Sequence, residues 1–343
     1  MTVAYCYHPL HQEHAEFGHP ENPQRLDAVM GVLEERGMLA RLKGVAATPA
    51  SREQLLRVHT HDYISLVERS AQRGGGHLDV DTYLTARSYD AACLAAGGLL
   101  NVMAAVLQGQ ASGGFALLRP PGHHALSQRG MGFCLFNNVA VAARAARAEF
   151  GVQRVLIVDW DVHHGNGTQE AFYTDGSVLF FSTHQYPHYP GTGHWREQGE
   201  GAGQGLIVNV PLRAGVGDEG YQRAFDEVLA PLARRFGPDL ILVSAGYDAH
   251  WRDPLASMQV TVKGFYRLAQ RVKSLADELC GGRLVCALEG GYHLEALAYS
   301  VLATFQALAS DVGEPMDPLG APPYGESPVD DILAAVKRAN GLR

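Results

Sequence analysis

Several protein classes are ruled out by what this sequence is short of. Its five cysteines (Cys6, Cys93, Cys134, Cys280 and Cys286) are scattered, odd in number and form no C-x-x-C pair. That argues against a disulfide framework and against a thiolate metal site. Any metal must therefore be held by histidine and carboxylate. No uninterrupted apolar run reaches the ~18 residues of a membrane-spanning helix, so no membrane partner is expected. The opening MTVAYCYHPLHQEH lacks a basic start followed by an apolar stretch, so no secretory signal is read and a cytoplasmic location is expected. Basic residues are in deficit: 28 Lys and Arg against 36 Asp and Glu give a net charge of −8. Such a field repels phosphate backbones, and nucleic acid is not an expected partner. Internal repeats and low-complexity tracts are absent as well.

What is present is globular. The 343 residues are 46% hydrophobic and 19% charged, enough for one large α/β domain or two ordinary ones. Helical periodicity appears at 22–42, 51–72, 88–109, 137–150, 221–236, 261–280 and 294–310. The second of these opens on Ser51 with Gln54 three positions later, a capping-box start. Short β-branched and apolar runs at 115–120, 154–160, 178–183, 206–212, 240–246 and 283–290 read as parallel strands covered on both faces. The stretch 185–205, rich in Gly, His, Pro and Tyr, reads as a long functional loop. No linker divides the chain. A single domain over 1–312 is expected, with 313–343 as a C-terminal tail packing on it or trailing from it.

The residues that follow the strands point to one rim. Gly122, His123 and His124 come after the first run, and Asp161, His163 and His164 after the second. His184, Asp248 and Tyr292 follow the third, fifth and sixth. Ligands of open parallel sheets bind outside the carboxyl ends of the strands. A hydrogen-bonded turn would explain any one of these groups, but not five strand ends together.

The densest stretch is VDWDVHHGNGTQ (158–169). Alternate side chains of an extended backbone point to one side, so Asp161 and His163 can reach one ion, with Asp248 supplying a third ligand. Three N/O ligands leave room for water and substrate, the pattern of a catalytic rather than a structural zinc. His123 and His124 need partners to fix their tautomers, and Asp159 and Asn166 are available. Tyr292, after Gly290-Gly291, reads either as an ordinary aromatic cap on the sheet or as a phenol that donates to a developing oxyanion.

RPPGHHA (119–125), MGFCLFNNVAVAA (131–143), VDWDVHHGNGTQ (158–169), SAGYDA (244–249) and EGGY (289–292) together resemble the motifs of the histone deacetylase family, which includes the bacterial acetylpolyamine amidohydrolases. The resemblance runs in order over roughly 5–310, and the RPPGHHA and NGTQ spellings resemble the class II branch. It implies a single-domain arginase/deacetylase-like α/β fold, with a central, mostly parallel sheet and helices on both faces. It also implies zinc-dependent hydrolysis of N-acetyl amides. Zinc would be held by Asp161, His163 and Asp248. His124 would be the general base, His123 with Asp159 would assist the water, and Tyr292 would stabilise the oxyanion. Gly132 would accept the substrate amide N–H, while Phe133 and Tyr189 would wall the channel. A potassium ion would sit on the carbonyls of Asp159, Asp161, His163 and Thr183, the Asp159 carboxylate and the Ser182 hydroxyl. Arg25, in HPENPQR (19–25), would line an acetate-release cavity, unless it is a surface arginine at a helix start.

Three departures bear on substrate. Asn166 stands where class I members carry Asp. Tyr189 stands where Phe is common. Leu255, in DPLASM (253–258), stands where the polyamine-selective relative has a glutamate, which favours acetyl-lysine-like substrates. An acetylpolyamine amidohydrolase is the alternative, with Asp79 and Asp81 as rim carboxylates. A catalytically dead acyl-lysine binder would show a lost ligand or a replaced Tyr292, and neither is seen. A binuclear manganese hydrolase would need further ligands that His164 and His184 do not complete. Homo-oligomerisation is left open.

Overall fold

The computed structural model describes residues 2–311 and 313–343. Among the described residues ten strands form: β1 (Val3–Cys6), β2 (Lys43–Gly44), β3 (Gly75–His77), β4 (Tyr83–Thr85), β5 (Gly113–Ala116), β6 (Val155–Asp159), β7 (Val178–Gln185), β8 (Ile207–Leu212), β9 (Leu240–Ala245) and β10 (Leu284–Leu288). Eight of them build one sheet in the order β2-β1-β5-β10-β9-β6-β7-β8, and β3 and β4 form a separate hairpin. Every pairing in the large sheet is parallel.

Strand periodicity sorts the apolar side chains into two cores. Phe115, Leu156, Val158, Ile241, Val243 and Cys286 face one layer, while Ala116, Val155, Ile157, Leu240, Leu242 and Val285 face the other. Both faces are covered, which is why these strands read as unbroken apolar runs. Helices Gln24–Glu35, Val262–Cys280 and Leu294–Leu308 supply the first layer. Helices His61–Gln72, Ser88–Leu107 and Asn138–Phe150 supply the second. Among the described residues, Ser88–Leu107 is the one helix long and apolar enough to cross a membrane; in this fold it is a core helix.

The sequence reading needs correction at several elements. Strands β1 and β2 and the β3–β4 hairpin were not expected. The pattern at 51–72 is two helices, Arg52–Leu55 and His61–Gln72, because Thr60 caps the second one. The capping box of Ser51 and Gln54 is present. The pattern at 221–236 starts at Asp218 and contains a π-helical segment, Phe225–Leu229, just ahead of Pro231. Proline lacks the N–H for an i→i−4 bond, and widening the turn accommodates that loss. The boundary expected after 312 falls at Val312, outside the described residues. Beyond it, helix Asp330–Ala339 packs on β8, burying Leu333 and Val336.

Candidate active site

Strands β6, β9 and β10 end side by side, and their registers bring Asp159, Ser244 and the residues that follow to one level. The ligand atoms of Asp161, His163 and Asp248 all lie within 4.8 Å of one another, and all three residues are buried. His163 Nδ1 is 3.2 Å from Asp161 Oδ1 and 3.1 Å from Asp248 Oδ2. Backbone N–H groups aim both carboxylates: Gly290 donates to Asp161 Oδ2 at 2.8 Å, and Val162 donates to Asp248 Oδ1 at 2.8 Å. Burial works against a charged ring at His163, yet its bonds to Asp161 and Asp248 lift it to about 10. Two buried carboxylates facing one imidazole thus call for a cation. Among the described residues no cysteine joins this group, and the donor set fits zinc.

Glycine makes room for the cradle. A Cβ on Gly290 would lie 2.2 Å from Asp248 Oδ2, and one on Gly246 would lie 2.0 Å from Asp161 Oδ2.

The two adjacent histidines meet above this triad with ring centroids 4.0 Å apart. They have unlike partners. His123 Nδ1 faces the Asp159 carboxylate at 3.0 Å, and His124 Nδ1 faces Asn166 Oδ1 at 2.7 Å. Burial opposes charge on His123, but Asp159 and then Asp161 outweigh it and raise the ring to about 10. Burial, reinforced by His123 and His163, holds His124 well below its ordinary value.

The walls are aromatic. Phe133 adopts φ 68°, a left-handed conformation uncommon for a bulky residue and frequent where a site imposes strain. Its ring meets Tyr292 edge-on at 5.7 Å. Tyr189, 36% exposed, stands edge-on to His124 at 5.1 Å and to His163 at 6.1 Å. Gly132 lies between: a Cβ there would meet His124 Cδ2 at 2.5 Å and Tyr189 Cε1 at 3.0 Å. Burial keeps the Tyr292 phenol protonated, well above its usual range. Its hydroxyl makes no hydrogen bond among the described residues. Leu255 is half-buried on the segment after Asp253.

Other expected residues lie elsewhere. Strand β7 runs on to Gln185, so His184 sits inside a strand and not at its end. It bonds Ser182 Oγ and the Gly193 carbonyl, both at 2.9 Å, while His164 bonds Thr192 and Gln169. These two histidines pin the 185–205 loop. Ser182 is the register partner of Asp159, and the Thr183 hydroxyl is buried without a partner. Asp79 and Asp81 occupy the turn between β3 and β4, where Asp81 N donates to Asp79 Oδ1. Arg25 is fully buried, so the surface arginine is excluded. It donates to Glu21 and to the carbonyls of Gly291 and Glu289, with its guanidinium carbon 5.0 Å from the centre of the Tyr292 ring.

Three contributors escaped the sequence reading. Glu289 accepts from the N–H groups of Gly122 and His123 and from Ser244 Oγ, bracing the histidine pair. Asp253 and His188 bond to backbone next to the channel. Glu289 and Asp253 stood inside quoted motifs, but no spacing rule singles out a carboxylate that serves backbone donors.

A family model described as "Histone deacetylase domain" matches residues 19–308. Histone deacetylase 10, chloroplastic, of Oryza sativa subsp. japonica is 44% identical over 330 residues, covering 91% of this chain and 74% of that protein. A probable deacetylase of Archaeoglobus fulgidus is 42% identical over 313 residues, covering 90% of this chain and 87% of that one. Polyamine deacetylase HDAC10 of Homo sapiens is 42% identical over 336 residues, 94% of this chain and 49% of that protein. The crystal structure of the HDA15 HD domain superposes with a TM-score of 0.91 at 38% identity, covering 99% of this chain and 95% of that one. The single-domain α/β deacetylase fold is therefore shared, and the paired histidines and the carboxylate triad lie within the matched span. The chain belongs to the histone deacetylase family.

Proposed function

We propose that this protein is a zinc-dependent deacetylase that hydrolyses the acetyl amide of acetyl-lysine-like side chains to free amine and acetate. The carrying observation is the buried, thiolate-free triad of Asp161, His163 and Asp248 facing two histidines with unlike partners. A zinc ion held by the triad supplies Lewis acidity to the acyl carbonyl and to the attacking water.

The remaining work belongs to the chain. The Asn166 carbonyl oxygen can only accept, so His124 carries its proton on Nδ1 and presents a lone pair at Nε2. His124 takes the proton of water as the C–O bond forms, and returns it to the amine nitrogen as the C–N bond breaks. His123, bound to Asp159, orients the water and contributes a positive field. Tyr292 donates its free hydroxyl to the oxyanion. The Gly132 carbonyl receives the substrate amide N–H, and Phe133 and Tyr189 exclude water from the alkyl stem. The same reading extends to a potassium ion behind the triad. It would be held by the carboxylate of Asp159, the hydroxyl of its register partner Ser182 and the carbonyls of Asp159, Asp161, His163 and Thr183, hard donors that suit such a cation.

A second reading, hydrolysis of acetylated polyamines, is favoured by the rim carboxylates Asp79 and Asp81 and by the named activity of the human relative. Leu255 weighs against it, because an apolar wall offers a secondary ammonium no counter-charge. The test is amine release by the zinc-loaded protein from an acetyl-lysine peptide, N-acetylputrescine and N-acetylspermidine, with the Tyr292→Phe variant alongside. The peptide should win in kcat/KM, and the variant should lose about 10²- to 10³-fold. Acetylpolyamines ahead by about tenfold or more, ~1.4 kcal/mol at the transition state, would establish the second reading. Turnover of none of the three would refute both.

A further inference from the structure

One backbone segment beside the channel is held from two sides. Leu255 donates its N–H to Asp253 Oδ1 at 3.0 Å, and its carbonyl accepts from His188 Nε2 at 3.0 Å. Asp253 is buried, and its other oxygen accepts the N–H groups of Tyr292 at 2.6 Å and His293 at 3.2 Å. His188 stacks on the ring of His163, with centroids 5.1 Å apart and planes within 20°, and Tyr189 follows it in the chain. The Leu255 peptide is thus stitched to the loop bearing Tyr292 through one bond and to the loop bearing Tyr189 through the other.

The chemistry of the two clamps is specific. A carbonyl only accepts, so His188 must carry its proton on Nε2; phenylalanine would keep the stack and lose the bond. Asp253 serves three N–H donors with two oxygens. An asparagine of the same shape would turn its NH₂ toward at least one of those donors, leaving a buried clash of like dipoles.

We infer that Asp253 and His188 are positioning residues that make the channel wall at Leu255 and the oxyanion donor Tyr292 one rigid unit. The inference rests on the deacetylase reading and goes beyond it. Each acts through the backbone of a residue to which that reading assigns a substrate contact, Asp253 through Tyr292 and Leu255 and His188 through Leu255. The two should therefore fail differently. Loss of the Asp253 clamp frees the Tyr292 backbone while Phe133 and Tyr189 still grip the stem, so kcat falls. Loss of the His188 clamp loosens the wall while Asp253 still holds Tyr292, so KM rises.

The test is a double-mutant cycle on the zinc-loaded full chain with an acetyl-lysine peptide. D253N should lower kcat about tenfold or more with KM within about twofold, since a misplaced donor forfeits much of what a deleted one does. Placed on top of Y292F, D253N should cost less than about twofold further, because its effect runs through the missing hydroxyl. H188F should raise KM about threefold or more at nearly unchanged kcat. An equal loss from D253N with and without the Tyr292 hydroxyl overturns the coupling, as does a loss confined to KM. Thermal unfolding is followed in parallel. If D253N fails to fold, H188F decides, and a wild-type KM overturns the inference. Wild-type protein that releases no amine removes the deacetylase reading and this inference together, whereas active wild type with an additive cycle removes the inference alone.

Discussion

Gly290 and Gly246 act in the site through the side chains they lack. Gly290 leaves the space that the carboxylates of Asp161 and Asp248 occupy, and Gly246 that of Asp161, so a single methyl group at either must push a ligand aside. Gly290→Ala should weaken zinc binding about 10- to 100-fold, the usual scale for disturbing groups that orient a metal ligand. Competition with a chromogenic chelator measures this without reference to turnover; unchanged affinity would mean that these carboxylates do not hold the ion. Arg25 sets the opposite case, a side chain with each of its three nitrogens bonded. It faces Glu21 and two backbone carbonyls with no exposure to water. Arg25→Ala should cost on the order of 3–5 kcal/mol in urea unfolding, because the buried carbonyls of Gly291 and Glu289 lose their donor while Glu21 is left with one arginine, Arg119. A loss below ~1 kcal/mol would show that the cavity relaxes or admits water.

At the scale of elements, one carboxylate gathers three backbone donors where the C-terminal segment meets the rest of the fold. Glu326 accepts the N–H groups of Gly217, Glu219 and Gly220, at the start of helix Asp218–Ala224. Glu326→Ala should cost roughly 1 kcal/mol, the scale of a lost helix cap, and should speed amide exchange across 215–220 and helix Asp330–Ala339. Amine release should stay as in the wild type, and unchanged exchange would show that other contacts hold the segment. How far such elements were legible depended on what they bury. Strands β6 to β10 announced themselves because both of their faces are covered and their runs are largely apolar, with polar residues mostly toward the carboxyl ends. Strand β1 hid because four residues flanked by Tyr7 and His8 make too short a run. Helix Asp330–Ala339 hid because a chain segment rich in Gly and Pro precedes it. In the site, Asp161 and His163 were legible from spacing on one strand end, and the histidine pair from its motif. Asp253 and His188 were not, since their partners are backbone N–H and carbonyl groups that every residue carries.

For the molecule as a whole, burial of neutral histidines sets the response to acid. Burial lowers His11 and His59 to about 4, and His14 and His250 to about 3, from an ordinary 6.5. Burial alone would raise Glu21, but Arg119 and then Arg25 hold it down to about 2. In every case the unfolded chain takes up protons before the folded one does. The stability that these five groups supply is therefore fully present above pH ~6.5 and is lost progressively toward pH 3, by more than about 3 kcal/mol between pH 7 and 4.5. His123 and His163, raised to about 10, act in the opposite sense and lose their share as the pH climbs above ~6.5. Urea midpoints of the metal-free protein across that range measure it, and a flat profile would contradict the burial of these rings. The sheet order carries a consequence for synthesis. Strands β2, β1 and β5 form one half and β6, β7 and β8 the other, while the last-made strands β10 and β9 lie between them. Until those two insert, a growing chain presents two unpaired parallel edges, at β5 and at β6, which are templates for association with other chains. A protein cut off before Leu240 should aggregate rather than persist as a smaller folded unit, and its cell would need chaperones most at the moment when the polypeptide is two-thirds made.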